Sequence, residues 1–139
     1  MSAYHEYETT ITDGGHLAAA LKAMGFEIEC HEAPQTLFGY HGDARPEKAT
    51  IIIRQNHTGI AASNDIGFVL GTDGKYRAVI SEYDQGEKFG TAWMGQLKQE
   101  YTAQRQIAVG RTKGWVYQGR ETVKLADGRE QVRLQFKGR

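Results

Sequence analysis

The segment NDIGFVLGTDGKYRAVIS, residues 64–81, constrains the fold more than any other part of the chain. Two apolar runs flank Asp73-Gly74, and an Asp-Gly pair in this position predicts a β-hairpin with a two-residue type I′ turn. That turn fixes the strand register, because a slip of one residue moves every side chain to the other face. The predicted pairs are Thr72 with Lys75, Phe68 with Val79, and Val69 with Ala78.

This register places apolar side chains on both faces of the hairpin. One face carries Ile66, Phe68, Leu70 and Val79, and the other carries Val69, Tyr76, Ala78 and Ile80. In an antiparallel sheet with one solvent-exposed face, apolar and polar residues alternate along each strand. The strands of this hairpin do not alternate in this way. We therefore expect something to cover each side of it.

Two amphipathic helices are predicted. Asp13 is placed as an N-cap, and the apolar residues that follow recur at helical spacing up to Gly25, where the helix can end. They are Leu17, Ala20, Leu21 and Met24. The second helix is longer and ends near Gly114, and its stripe consists of Phe89, Trp93, Leu97 and Tyr101.

Further strands surround these elements. We expect strands in YHEYETTI, FEIEC, TLFGYHG and ATIIIRQ, with Pro34 and Pro46 in loops, and a last hairpin that turns at Asp127-Gly128. In that hairpin Val132, Leu134 and Phe136 alternate with polar residues. The sequence therefore predicts a single α+β domain over residues 1–139. It has a twisted antiparallel sheet, two main helices on one face and a closing C-terminal β-hairpin.

Composition favours a soluble cytoplasmic protein. The chain is 40% hydrophobic, contains one cysteine, Cys30, and has neither a long apolar run nor a recognisable N-terminal signal. The net charge is zero, but residues 1–104 have a balance of −6 and residues 105–139 a balance of +6. A basic segment can bind nucleic acid or an acidic partner, or it can lie beside acidic parts of its own domain.

Several short motifs together resemble a known family. They are TTITD, ALKAMGF, LFGYHG, IIIRQ, DIGF, GKY, LKQEY and DGREQVRLQF, in this order. The chain resembles the hypothetical chloroplast open reading frame thirty-five family, a plastid and bacterial family of unknown function. The connection NHTGIAAS is longer than expected for the plastid members. The resemblance implies a fold and a soluble compartment but no catalytic residues.

One cluster of polar residues is a candidate binding site: Tyr40, His41, Arg54, Asp65 and Tyr83. Arg54 is the charged member of an otherwise apolar strand, and a charge there must be paired or solvated. Either it forms a structural pair with Asp65, or the group lines a polar pocket. Because the histidines have no metal-ligand spacing, we expect no metal site. We also expect no cofactor, and we assign no catalytic residue.

Three functions remain open. The first is a non-enzymatic interaction module that binds a protein partner or a second copy through a sheet face that the helices leave uncovered. The second is a small-molecule binder or enzyme that uses the candidate cluster. The third, which we consider unlikely, is single-stranded nucleic-acid binding through the basic C-terminal hairpin, where Trp115, Tyr117 and Phe136 lie among arginines and lysines.

Overall fold

The computed structural model describes residues 3–124, 126 and 129–138, and it confirms the α+β class. A five-stranded antiparallel sheet has the order β1-β5-β4-β3-β2, and β6 and β7 form a separate hairpin. The strands are β1 Tyr4–Glu8, β2 Glu29–Phe38, β3 Ala44–Ile53, β4 Ile66–Leu70, β5 Tyr76–Ser81, β6 Val116–Lys124 and β7 Glu130–Lys137. The helices are α1 Gly14–Ala23, α2 Glu82–Glu87 and α3 Thr91–Thr112.

The main core lies between one face of the sheet and the two longer helices, as predicted. Leu17 and Leu21 of α1 and Leu97 of α3 are fully buried there, with Phe68 and Ile80 from the sheet. The Trp93 ring packs 4.7 Å from the Phe89 ring, centroid to centroid. Burying a side chain of this size contributes on the order of 2 kcal/mol, and this face buries more apolar side chains than the other.

The helix boundaries follow local signals. The Asp13 carboxylate accepts a hydrogen bond from the His16 N–H at 2.9 Å, and Gly25 has a φ of 94° just after α1. Gly114, with a φ of 73°, follows the end of α3. Phe89 lies before α3 rather than inside it, and the sequence did not predict the short helix α2 that precedes it.

The predicted register of the central hairpin is wrong by one residue. Phe68 pairs with Ala78 and Gly67 with Val79. Gly74 has a φ of 80°, but Asp73 has no positive φ, so the connection is not a type I′ turn. The Gly74 N–H instead donates to the Gly71 carbonyl at 3.0 Å, as in a type I turn followed by a left-handed glycine. The longer loop moves Val79 to the face opposite Phe68.

The segment from 29 to 38 is one strand rather than two short ones. Its ladder with β3 is irregular between Cys30 and Gln35, and Pro34 lies in that irregular stretch. Pro46 lies inside β3 instead of in a loop. Both prolines are tolerated because β2 is at the sheet edge and because the paired residues skip around them.

The second face of the sheet is covered by the protein itself. Residues 33–49, which we call the β2–β3 ribbon, bend over this face toward β1. The Arg45 guanidinium lies 5.2 Å from the Tyr4 ring centre in β1. Leu37 and Ala49 of the ribbon pack on Ile52 and Val79 of the sheet, and all four are at most 1% exposed. The uncovered sheet face that motivated the interaction hypothesis is therefore largely closed, and Val69 at its margin is half-buried.

The C-terminal hairpin packs on the second half of α3. Phe136 contacts Gly110, and the Arg120 guanidinium forms a bidentate pair with Glu100. The alternation of half-buried Val132, Leu134 and Phe136 agrees with the prediction. The predicted Asp127-Gly128 turn lies outside the described residues. In the described part of the chain, no helix has the length and apolarity needed to span a membrane.

Candidate functional site

Three of the five predicted site residues line one cavity. It has a volume of about 290 Å³ and lies where the turn between β2 and β3 meets the start of α2. We call it the tyrosine pocket. The predicted residues in its wall are Tyr40, His41 and Tyr83, and the others are Asp43, Arg45, Ala62 and Asn64.

A tight turn presents two of the aromatic rings. The Gly39 N–H donates to the Asp43 carbonyl at 2.8 Å, and Gly42 adopts a φ of 79° that closes the turn. The ring centres of Tyr40 and His41 are 4.9 Å apart in an edge-to-face arrangement. Because Tyr40 is 50% exposed, its ring offers an aromatic face to solvent at the mouth of the pocket.

The third ring comes from α2. Ser81 caps this helix, and its hydroxyl accepts a hydrogen bond from the Asp84 N–H. Tyr83 is then directed across the pocket, where its hydroxyl donates to the Ala61 carbonyl at 3.0 Å. This bond joins α2 to the 61–64 loop that forms the pocket floor.

A buried carboxylate holds that floor. Asp84 is fully buried and accepts hydrogen bonds from the Ser63 hydroxyl at 2.7 Å, the Asn64 N–H at 3.0 Å and the Ser81 hydroxyl at 2.7 Å. The Asn64 side-chain oxygen in turn accepts from the Tyr40 N–H at 2.9 Å. Three of these hydrogen bonds thus fix the floor to α2 and to the β2–β3 turn, and the bond from Ser81 holds the Asp84 carboxylate itself.

Arg54 and Asp65 do not line the pocket but lie beside it in a second network. Asp65 is 1% exposed, and its carboxylate accepts from the Phe38 N–H, the Gln55 N–H and the Arg54 guanidinium, each at 2.8 Å. The Arg54 guanidinium also forms a bidentate pair with Glu29 at 2.9 and 3.0 Å. Of the two roles considered for Arg54, the contacts are those of a structural pair with Asp65.

The electrostatics of this second network follow from the pairing. The hydrogen bonds from Arg54, and then that from His31, lower the pKa of Glu29 to about 2. The same bonds to Glu29 raise the pKa of Arg54. Burial raises the pKa of Tyr4, and the nearby carboxylate of Asp65 raises it further. Tyr4 therefore remains a hydrogen-bond donor at neutral pH, and it donates to the Asp65 carbonyl at 2.6 Å.

Ala62 is the strained residue of the site. It has a φ of 60° and is the only non-glycine residue of the described chain with positive φ. The left-handed conformation costs an L-residue about 1–2 kcal/mol. Such outliers persist where the surroundings determine them, and they concentrate at binding sites. Here the Asp84 network and the Tyr83 bond are those surroundings.

Sequence reasoning missed Ser63, Asn64 and Asp84. One signal was present, because Ser81-x-x-Asp84 has the spacing of a helix capping box. The hydrogen bonds from Ser63 and Asn64 to Asp84 join residues about twenty positions apart, and no local sequence pattern predicts them. In the described parts of the chain, no three His, Cys, Asp or Glu residues are grouped as a metal site would require.

A larger cavity lies at the opposite end of β5. It has a volume of about 490 Å³ and is bounded by the end of β1, the β4–β5 turn and α3. We call it the α3 cleft, and it contains none of the five predicted residues. Its wall includes Ile11, Lys75, Tyr76, Met94, Gly95 and Lys98.

Comparison with known proteins identifies the family but not the activity. A family model described as a protein of unknown function (DUF1257) matches residues 20–133, a range that contains the whole tyrosine pocket. No curated protein and no solved structure matches the chain significantly. The plastid relationship implied by the short motifs stays a prediction. Because the match spans most of its length, the chain belongs to the DUF1257 family of proteins of unknown function.

Proposed function

We propose that this protein is a binding module for a small planar heteroaromatic molecule, of the nucleobase or nucleoside class, and that the tyrosine pocket is its site. The observation that carries the proposal is the meeting of Tyr40, His41 and Tyr83 around one cavity. These rings come from two elements more than forty residues apart. A base stacked on an aromatic side chain gains about 1–3 kcal/mol, so several rings can supply most of the affinity.

The size of the pocket limits the ligand. Pockets for small organic ligands have volumes of about 300–1,000 Å³, and the tyrosine pocket, at about 290 Å³, lies at the lower end. One or two fused rings with a small substituent fit this volume. A long oligonucleotide strand or a folded peptide does not.

The polar groups of the wall suit the edge of a heterocycle. Asp43 and Arg45 lie side by side, with 3.6 Å between the Arg45 Nη1 and the Asp43 Oδ2. A carboxylate accepts hydrogen bonds and a guanidinium donates them, so the two together match a ring edge with adjacent donor and acceptor atoms. Nucleobases have such edges.

The floor of the pocket is preorganised. The Asp84 network fixes Ser63 and Asn64, and the Tyr83 hydroxyl fixes Ala61, before any ligand arrives. A rigid floor lowers the entropy cost of binding. Since the buried carboxylates of Asp65 and Asp84 are both engaged in structural hydrogen bonds, we propose binding rather than catalysis.

The test is a calorimetric titration of the protein with adenosine, guanosine, cytidine and uridine. We expect at least one nucleoside to bind with one-to-one stoichiometry. Tyr83→Leu should weaken that binding about tenfold, because it removes a stacking face. Tyr83→Phe keeps the stacking face and gives up the hydroxyl with its bond to Ala61, so it should bind within a factor of about three. The proposal is wrong if none of the four nucleosides binds, or if Tyr83→Leu and Tyr40→Leu both bind as well as the wild type.

A second candidate function is self-association through the base of the C-terminal hairpin. Val109, Trp115 and Val116 are 43–50% exposed there. The basic balance of residues 105–139 complements the acidic balance of residues 1–104, so a second copy offers a surface of opposite charge. Sedimentation should detect a dimer at low salt that dissociates at high salt and is absent in Val116→Glu. A monomer under both conditions would exclude this candidate.

A further inference from the structure

The α3 cleft has the properties of a second ligand site, independent of the tyrosine pocket. Its volume of about 490 Å³ is well within the range for small organic ligands. It lies at the Tyr76 end of β5, whereas the tyrosine pocket adjoins the Ser81 end. A ligand in the cleft would therefore contact a different set of residues.

The inner wall of the cleft is apolar. Ile11 is 1% exposed, and Tyr76 and Met94 are half-buried beside it. The Tyr76 ring is fixed in place, because its hydroxyl packs so closely on Gly14 that a Cβ there would be 2.3 Å away. Gly95 of α3 also faces open space, since a Cβ at this position would meet no atom within 4 Å. An aliphatic chain can lie along this wall.

The rim of the cleft carries positive charge. Lys75, Arg77 and Lys98 line it. The Lys98 ammonium donates to the Thr10 hydroxyl, a neutral group. Among the residues that the structure describes, neither Lys75 nor Lys98 forms an ion pair with a carboxylate.

The two acidic residues of the cleft leave this charge in excess. Asp73 is 3.6 Å from the Arg77 guanidinium and also accepts a hydrogen bond from the Lys75 N–H. Glu8 is the other carboxylate of the wall and stands opposite Arg77 in the β1–β5 ladder. The two lysine ammonium groups therefore remain available to an anion.

We infer that the α3 cleft binds an amphiphilic organic anion, a medium-chain monocarboxylate, with its chain along Tyr76 and Met94 and its carboxylate at Lys98 and Lys75. The apolar wall binds the chain, and the two lysines, which have no carboxylate partner among the described residues, bind the charged group. A neutral alcohol of the same length would keep the first contact and lose the second. A cationic amphiphile would be repelled by the rim.

The experiment is an NMR titration of the isotope-labelled full chain with decanoate, read from backbone amide shifts. We expect saturable shifts at Gly95, Lys98 and Tyr76, and much weaker binding of decanol. Lys98→Met should weaken decanoate binding about tenfold, because it removes a charge-assisted hydrogen bond. Lys113→Met, a lysine at the other end of α3, should leave it unchanged. Gly95→Phe should abolish binding by filling the cleft.

The outcomes separate this inference from the proposed function. Decanol binding as tightly as decanoate would overturn it, as would decanoate shifts confined to residues outside the cleft. If Gly95→Phe does not fold, the test rests on the decanoate affinities of Lys98→Met and Lys113→Met. Equal affinities of these two variants would refute the site. Tyr83→Leu should not change decanoate binding. Nucleoside binding can therefore fail while decanoate binding stands, and the reverse.

Discussion

Ala62 is the residue at which the candidate site departs most from relaxed backbone geometry. Its φ of 60° suits glycine, whereas its neighbour Ala61 has no positive φ. We expect Ala62→Gly to raise the free energy of unfolding by up to about 1 kcal/mol, because the strain exceeds the entropy cost of glycine. Ala61→Gly should lower it by about 0.5–1 kcal/mol. Urea denaturation measures both, and equal effects of the two substitutions would show that Ala62 is not strained.

Glu29 gives the protein a specific dependence on pH. Its pKa is lowered from 4.5 to about 2 in the folded state, so its pairing with Arg54 stabilises the fold above about pH 4.5. That contribution disappears as the pH falls from about 4.5 through about 2. Because the Glu29 side chain is 41% exposed, the contribution is at most about 1 kcal/mol.

Glu29→Gln tests this pairing against the wild type. The difference in unfolding free energy between the two proteins should be largest near neutral pH. It should shrink toward zero as the solution becomes acidic, since protonated glutamic acid and glutamine pair equally poorly with Arg54. A difference that stays constant from neutral pH to acid would contradict the assigned pKa. Chemical denaturation at a series of pH values provides the measurement.

At the residue scale the sequence indicates which side chains are unusual but not which ones meet. Arg54 stands out in an apolar strand, and a charge in that position needs a partner, so its pairing with Asp65 could be anticipated. Asn64 and Asp84 are ordinary in composition. Their role arises from hydrogen bonds between distant segments, which no spacing rule encodes.

At the scale of elements, the length of a hairpin loop sets the strand register and therefore which side chains of a strand face the core. The central hairpin was predictable as a hairpin, but its register depends on the turn type. A type I′ turn needs a positive φ at both Asp73 and Gly74, and only Gly74 has one. The alternation within each strand was predicted correctly, since Ile66 shares a face with Phe68 and Ala78 shares a face with Ile80, but which face meets the helices was left open. The wrong register put these two pairs on opposite faces, whereas both lie on the helix-facing side.

Two glycines of α3 have opposite environments, and this predicts opposite effects. A Cβ at Gly95 meets nothing within 4 Å, so Gly95→Ala should stabilise the protein by about 0.5–1 kcal/mol through helix propensity. A Cβ at Gly110 would lie 2.7 Å from the Phe136 ring. Gly110→Ala should therefore lower stability by about 1–2 kcal/mol, because it forces the hairpin away from α3. Thermal unfolding of the two variants measures these effects. Stabilisation by both substitutions would disprove the Gly110–Phe136 contact.

At the scale of the whole molecule, the β2–β3 ribbon is the feature that sequence reasoning could not supply. Helical stripes predict a covered face wherever they occur, but a strand pair that bends back over its own sheet leaves no periodic signal. Two features accompany the ribbon in the sequence. One is Pro34, near which the strand pairing is irregular, and the other is Gly67, which the ribbon crosses at close range. The excess of apolar strand residues was correctly noticed and was assigned to a partner surface instead of to this ribbon.

Gly67→Ala tests whether the ribbon closes the second face. A Cβ at Gly67 would lie 2.4 Å from the Ala49 Cβ and 3.2 Å from Leu37, and rotation of a side chain does not relieve a clash between two Cβ atoms. We expect a loss of about 1–3 kcal/mol. Gly86→Ala in α2, where a Cβ meets nothing within 4 Å, is the matched control and should cost nothing. If Gly67→Ala were as stable as this control, the ribbon would not lie against β4.

Because the β2–β3 ribbon closes the second face of the sheet, the proposed binding surface is the turn of the ribbon and not the sheet itself. The most direct measurement is a map of backbone amide shifts on titration with the nucleoside that binds most tightly. We predict the largest shifts at His41, Ala62 and Asn64 of the tyrosine pocket, and none at Gly95 of the α3 cleft. Shifts centred on Trp115 and the C-terminal hairpin, or no saturable shifts at the pocket, would contradict it.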